Sequence, residues 1–191
     1  MSADVQFIGG DRLRQVLQQL ADRGSNAEPA MRSVSMTLLR ESERIFAAQG
    51  KGVGLDEEWQ PLSEVTKHRR ALGNTRSGRQ YGKNGKELKS YTAARSGLMQ
   101  ILVNTNNLVR SLTPAHSSRD ARVTTSVEYA ATMFYGAKQG QFGRDRRNHP
   151  LPWGDIPARR FLPLRGTGSD LRLTEPAERA VIENLMDYLR P

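Results

Sequence analysis

Cysteine is absent from this 191-residue chain. That excludes disulfides, thiolate zinc sites and cysteine nucleophiles together. Aromatic residues are scarce at 6%, hydrophobic residues reach only 37%, and the mean hydropathy is −0.64. So lean a composition suits a chain that completes itself by packing against copies or partners, although long polar loops alone lower the average in the same way. No apolar run approaches the roughly 20 residues needed to span a bilayer. Met1-Ser2-Ala3-Asp4 lacks the basic-then-apolar pattern of a secretory signal. The expectation is a soluble protein made in the cytoplasm, with no membrane partner.

Catalytic chemistry is missing as well. His68, His116 and His149 all fall in polar segments with no second histidine or clustered carboxylate at metal-ligand spacing. They read as solvated histidines rather than ligands or general bases. Gly50-Lys51-Gly52-Val53-Gly54 follows a helical pattern instead of opening one, and it lacks the Gly-Lys-Ser/Thr ending of a phosphate loop. It reads as a flexible connector. The acidic run Asp56-Glu57-Glu58 is either a solvated face or a contact for a basic surface on another subunit. No catalytic, cofactor-binding or metal-binding residue is assigned, and the chain reads as a non-enzyme.

What the chain has in excess is positive charge, and that charge is not evenly spread. Residues 67–95 hold nine Lys/Arg against one Glu, a net of +8, and residues 136–160 hold six against two Asp, a net of +4. The remainder sums to −3 of the total +9. Both stretches are rich in glycine and poor in large apolar residues. They read as a basic glycine-rich loop insertion at 67–97 and a second basic loop at 136–155, on a single domain spanning 1–191. Two cationic loops on a near-neutral body suggest a scaffold presenting basic arms to a polyanion. In the first loop Arg76, Arg79, Lys83, Lys86 and Lys89 are the leading candidates for contact with DNA or a protein partner, with Lys67, Arg69 and Arg70 at its start. Arg144, Arg146 and Arg147 are the candidates in the second. Tyr81 and Tyr91 either stack on bases or pack back on the domain.

Periodicity outlines the rest. Residues 4–8 alternate as a short strand, and Leu13, Val16, Leu17 and Leu20 mark a helix ended by Gly24-Ser25-Asn26. Pro29 opens a second helix with Met31, Val34, Leu38 and Ile45 on one stripe, widened by Leu39 and Phe46, running to about Gln49. The apolar run 98–103 suits a buried strand or a helix end. Leu108, Val109 and Leu112 make a short helix before Pro114, residues 122–128 alternate as a strand, and 129–137 read as a short helix. Thr174 is placed to cap a last helix whose core stripe is Val181, Leu185 and Tyr188, with Ile182 and Leu189.

Three ordered motifs say more. They are Trp59-x-Pro61-Leu62-Ser63-x-x-Thr66, then Ile101-Leu102-Val103-x-Thr105-x-x-Leu108-x-x-Ser111-Leu112. The third pairs Tyr129-Ala130-Ala131 with Ile156-Pro157-Ala158-Arg159-x-Phe161-Leu162 ahead of the C-terminal helix. In this order they resemble the phage virion morphogenesis or tail completion family of Mu-like and P2-like phages. The chain departs from that pattern at Asn106, where a glycine is usual, at Met133-Phe134-Tyr135-Gly136, and at Arg160 and Pro163. Asparagine tolerates positive φ, so the turn at Asn106 is expected to survive.

The resemblance implies a small α+β subunit, with long N-terminal helices and a C-terminal helix packed on a small, mostly antiparallel sheet with long basic loops. It implies a non-enzymatic virion protein of the head–tail neck, working as a homo-oligomeric ring, six-fold in the family, around the DNA channel. The expected partners are further copies, neighbouring neck and tail-tube proteins, and the DNA backbone in the lumen. A nucleic-acid-binding protein outside the particle and a capsid assembly factor acting before tails attach are the alternatives. Among motif residues, Trp59 is either a partner anchor or a core tryptophan pinning the end of the long helix. Pro61 and Pro157 fix extended segments, Phe161 and Leu162 belong in the core, and Arg159 suits an ion pair between subunits or within the chain.

Overall fold

The computed structural model of the chain describes residues 22, 24, 26–73, 78–97, 99–167 and 170–190. The strand expected at 4–8, the helix expected at 13–20 and the candidate contact Arg76 lie outside them.

Helix α1, Glu28–Ala47, starts as its sequence predicts, with Pro29 in the first turn, where a missing N–H costs no helical bond. It ends two residues short of Gln49, where Gln49 and Gly50 turn the chain with φ of 54° and 70°. Its buried face is more polar than the apolar stripe suggested: Ala30, Val34, Ser35, Thr37, Ser42, Ile45 and Phe46. Ser35 and Ser42 are buried because their hydroxyls donate back to the carbonyls of Arg32 and Leu38, each at 2.8 Å. These small side chains accept the C-terminal helix α6, Glu175–Leu189, which runs antiparallel to α1. Ser33 Oγ donates to Asn184 Oδ1 and Asn184 Nδ2 donates to Thr37 Oγ1, both at 2.6 Å. The Tyr188 hydroxyl donates to the Asn26 carbonyl at 2.7 Å.

Two expectations for α6 fail. Thr174 does stand at the N-cap in an extended conformation, but its side chain makes no capping bond. Its hydroxyl is turned inward and buried without a partner. Ile182 and Leu189 are 52% and 44% exposed rather than core. The face of α6 that meets α1 is built from Ala177 and Asn184, which leaves Ile182, Met186 and Leu189 on an uncovered side.

The stretch 67–97, expected as a loop without firm structure, is helical at both ends, over 67–73 and 89–96. Helix α2, Glu64–Gly73, carries Lys67, Arg69 and Arg70, and helix α3, Lys89–Ser96, begins at Lys89. Ser63 starts α2, its Oγ accepting the Thr66 N–H at 3.2 Å. The two short helices hold each other through side chains far apart in sequence. Tyr91 is 1% exposed, its hydroxyl 2.6 Å from His68 Nδ1 and accepting from Arg95 Nη1 at 3.0 Å, while Arg95 Nη2 reaches Glu64 at 2.7 Å. His68 is therefore a half-buried partner and not the solvated residue expected, and of the two loop tyrosines Tyr91 packs back while Tyr81 stays 53% exposed.

Residues 99–103 form neither the strand nor the helix end expected, but a turn with Leu102 at φ 59°, and Ile101, Leu102 and Val103 pack on the core from it. Asn106 adopts φ 59° immediately before α4, Asn107–Arg110, so the turn expected there is kept. Strands β1, Thr113–His116, and β2, Ala121–Thr124, form an antiparallel hairpin on which α1 packs. The alternation of 122–128 stops early because Thr125 Oγ1 takes the Val127 N–H at 3.2 Å and meets the Ser111 hydroxyl at 2.6 Å. Helix α5, Ala130–Tyr135, follows, and strands β3, Leu164–Arg165, and β4, Arg172–Leu173, make a second antiparallel hairpin. The fold is α+β, with its described strands in two separate pairs rather than one sheet.

The core joins α1 to both ends of the later chain. Phe46 packs 5.6 Å from both Trp59 and Phe161, and Phe161 packs edge-on to Phe134 at 5.6 Å. Trp59 is 4% exposed, and its Nε1–H donates to the Arg160 carbonyl at 2.8 Å. Of its two readings, the core tryptophan holds. Its ring lies flat on Gly50, where a Cβ would overlap the indole and where φ is already +70°. Gly50→Ala is expected to cost about 1–3 kcal/mol in urea unfolding from overpacking alone, and to red-shift the Trp59 emission. Wild-type stability in this variant would remove Gly50 from the account.

Candidate functional site

The motif residues and the cations, read together from sequence, part company in the structure. Trp59, Arg159 and Phe161 are buried at one junction, while Leu62 and Pro157 are half-buried and Pro61 is exposed. Arg159 is 8% exposed and donates from Nε and Nη2 to the Gln60 carbonyl at 3.2 and 3.1 Å, and from Nη2 to the Pro61 carbonyl at 3.4 Å. Among the described residues its bonds go to carbonyl oxygens, and no intrachain ion pair of the kind expected is seen. Burial pushes its guanidinium below the ordinary arginine pKa, and the nearby charge of Arg70 adds to the effect. Thr66 stands in the first turn of α2 with its hydroxyl 3.0 Å from the capping Ser63. Thr105 is exposed ahead of the Asn106 turn, and Tyr129 is 45% exposed at the start of α5.

The candidate contact cations sit on two surface segments. On the first, Lys67 pairs with Glu64 at 2.8 Å, and Arg70 donates to the Gln100 carbonyl at 2.6 Å, its pKa lowered by burial. Neither is a free surface cation. Arg69, Arg79, Lys83, Lys86 and Lys89 are exposed and make no ion pair among the described residues. Between α2 and α3 the chain is tied by an isolated bridge between Tyr81 and Glu87, with the Leu88 N–H donating to the Gln80 carbonyl at 2.8 Å.

The second segment, 136–155, is also more ordered than the loop expected. Ala137 and Ile156 exchange backbone bonds at 2.9 and 2.7 Å, and Arg144 faces Pro150 in a second bridge. At the tip the Asp145 carboxylate accepts the N–H groups of Arg147 and His149 at 2.8 and 2.9 Å, and its Oδ2 lies 3.0 Å from His149 Nδ1. His149 is exposed, as expected of a solvated residue, and has Asp145 as a partner. Those bonds, with the His149 N–H foremost, hold the Asp145 pKa below its ordinary value. Asp155 is likewise held low by the Gln139 N–H and by Lys138, 3.0 Å away. The acidic patch is partly used within the chain, since Asp56 binds Arg160 at 2.9 Å and the Gly166 N–H at 2.6 Å. Glu57 and Glu58 remain exposed.

Sequence reasoning missed two features. Phe142 and Trp153, 56% and 61% exposed, stand on the second basic segment. Their signal was present, as aromatic residues in a run otherwise polar and cationic. An apolar groove of about 220 Å³ also opens between the two hairpins, lined by Val123 from β2, Leu164 from β3, and Leu112, Phe134, Phe161 and Leu162. A more polar cleft of about 570 Å³ lies on the other side of Tyr135, beside Gln60, Lys138, Asp155 and Pro157. Among the described residues no group of three or more His, Asp or Glu is placed to hold a metal ion. No described helix is long and apolar enough to cross a membrane.

No family model matches the chain, and neither curated proteins nor solved structures match it. The likeness to the tail completion family rests on the three motifs alone.

Two measurements test this site. Arg159→Met leaves the Gln60 and Pro61 carbonyls unpaired and is expected to lower unfolding free energy by about 1–3 kcal/mol. An intersubunit role would instead leave the dilute chain as stable as before. For Asp145, a carboxyl pKa lowered by folding contributes stability above the unfolded value and loses it as pH falls through the folded value. The Asp145 carboxyl carbon resonance is therefore expected to show its protonation step below the ordinary aspartate value of 3.8. Movement centred at that ordinary value would remove the tip bonds from the solution structure.

Proposed function

We propose that this chain is a non-enzymatic virion assembly protein of the phage head–tail neck, a tail completion subunit that forms a ring around the DNA channel. The observation that carries this reading is a surface left unfinished in two different ways. Among the described residues eleven large apolar side chains are more than a third exposed, including the Ile182, Met186 and Leu189 stripe on α6. Two hairpins of only two strands leave open edges among the described residues. Away from the α6 stripe in sequence lie the exposed cations of 67–97 and 136–155, with Tyr81, Phe142 and Trp153 among them. A ring needs two different complementary patches on every copy, together with a lumen face that suits what passes through it. Sequence-independent attraction to a phosphate backbone requires only charge.

In this reading the apolar faces meet further copies and the neighbouring neck and tail-tube proteins, and the basic segments face the DNA backbone or acidic surfaces of adjoining rings. The ordered motifs around Trp59, Asn106 and Phe161 supply the link to the tail completion family. No reaction is assigned.

Electron microscopy of lysate from a phage whose copy of this gene carries an early stop codon tests the reading. Filled heads beside unattached tails are expected. Missing or aberrant heads would assign the protein to capsid assembly instead, and normal infectious particles would remove it from the particle altogether. In the intact gene, replacing Arg79, Lys83 and Lys86 with glutamine is expected to lower the yield of complete particles without altering the melting curve of the purified protein. Full yield would end the role of that segment.

A further inference from the structure

We propose that residues 137–156 form a preshaped arm for nucleic acid that presents phosphates together with an uncovered base face, as a single strand or a duplex end does. The inference rests on the reading that a polyanion faces the basic segments, but not on the neck assignment.

The arm is built before any ligand arrives. Beyond the Ala137–Ile156 pair, the Gly140 N–H donates to the Pro152 carbonyl at 3.1 Å and the Phe142 N–H to the Leu151 carbonyl at 2.8 Å. The Leu151 N–H donates to the Gly143 carbonyl at 2.8 Å, and the Asp145 N–H to the His149 carbonyl at 2.9 Å. Backbone order of this kind lowers the entropy lost on binding, which a free loop would have to give up.

Its charge is left unneutralised by design of the tip. Asp145, the one acid there, is turned onto the Arg147 and His149 amides and the His149 ring. Asp155 at the base is taken by Lys138 and the Gln139 N–H. Arg146 and Arg147 make no ion pair among the described residues, and Arg144 bonds only the Asn148 carbonyl at 2.9 Å, so all three charges face outward unpaired. Three guanidinium groups within four residues suit phosphate oxygens, which they can grip in bidentate fashion.

An aromatic surface adjoins these cations. The His149 ring is 5.4 Å from the Trp153 ring at a tilt of 46°, which links the tip to the indole. Gln139 Nε2 fixes the Trp153 carbonyl at 2.9 Å, yet the residue stays 61% exposed, and Phe142 is 56% exposed on the opposing strand of the arm. Cations around an open aromatic face are the pattern by which single strands are held, phosphates on the charges and bases on the rings. A continuous duplex covers its bases and offers only the phosphates. An acidic protein would satisfy the arginines but leaves the exposed indole without a flat partner.

The test uses the full-length purified chain and three probes: an oligothymidylate, a blunt duplex oligonucleotide and a relaxed closed circular duplex. Binding to the oligothymidylate is expected to quench Trp153 emission, while buried Trp59 serves as the internal reference. Trp153→Ala is expected to weaken binding to the single strand roughly tenfold to a hundredfold, and to leave binding to the closed circle unchanged. Arg146→Gln with Arg147→Gln is expected to reduce the slope of log affinity against log salt by about 1.4 on the single strand. The aromatic part is overturned if Trp153→Ala binds the single strand as tightly as wild type, or if the closed circle is bound as tightly per nucleotide. The whole proposal is overturned if no probe binds at low salt. Neither result bears on the neck assignment, which the micrographs decide.

Discussion

The junction between residues 50–61 and 157–161 governs the molecule. Trp59 lies on Gly50 and bonds the Arg160 carbonyl across 101 residues of sequence. In return Arg159 reaches back to the carbonyls of Gln60 and Pro61. Each segment satisfies the other's backbone, so neither can be positioned alone. The arrangement is costly in charge, since it buries one guanidinium near a second, Arg70, and neither has an ion-pair partner among the described residues. It holds because the junction also closes the aromatic core, with Phe46 between Trp59 and Phe161. Both openings on the surface inherit their shape from it. The polar cleft takes Gln60 and Pro157 as walls, and the apolar groove takes Phe161 and Leu162. A fault at Gly50 or Arg159 therefore reaches surfaces that neither residue touches.

Elements that carry their own period were legible in the sequence. α1 and α6 appear because apolar residues recur at helical spacing with a proline or acidic residues in the first turn. Asn106 was legible for a different reason, since a left-handed turn before a short helix admits few residue types. The helices α2 and α3 were hidden. Four glycines and a run of cations mask them, and their stability comes from the Tyr91, His68, Arg95 and Glu64 contacts made across the intervening chain. Only Ser63 ahead of Thr66 offered a local signal, as a cap. The run 98–103 misled in the opposite way, because apolar residues of an irregular turn can face the core as well as those of a strand.

The candidate site divided along the same line. Its positive charge was readable from composition, and its backbone was not. Sequence finds an arginine but not what it faces, so Arg70 looked like a contact residue and Arg159 like half of an ion pair, and both are bonded to carbonyls. Sequence equally cannot tell that Asp145 and Asp155 spend their charge on amides and a lysine at the arm itself. Exposed pairs such as Lys138 with Asp155 add little stability, on the order of 0–1 kcal/mol. Their effect here is geometric: they fix the arm while leaving the arginines of its tip unmatched.

That geometry separates two kinds of surface that composition blends into one average. Where cations stand on an ordered backbone, attraction for a polyanion comes with a defined shape, and side chains alone need to adjust on contact. Where apolar groups stand exposed on α6, the surface is unfavourable in water, and in the proposed reading another protein covers it. A chain that kept both kinds of surface for itself would need a larger core than its 37% hydrophobic content supplies. The small core, the uncovered helix face and the unmatched arginines are then consequences of one constraint. The chain folds around a single clamped junction, and in the proposed reading contact with other molecules covers the surface that its own core does not.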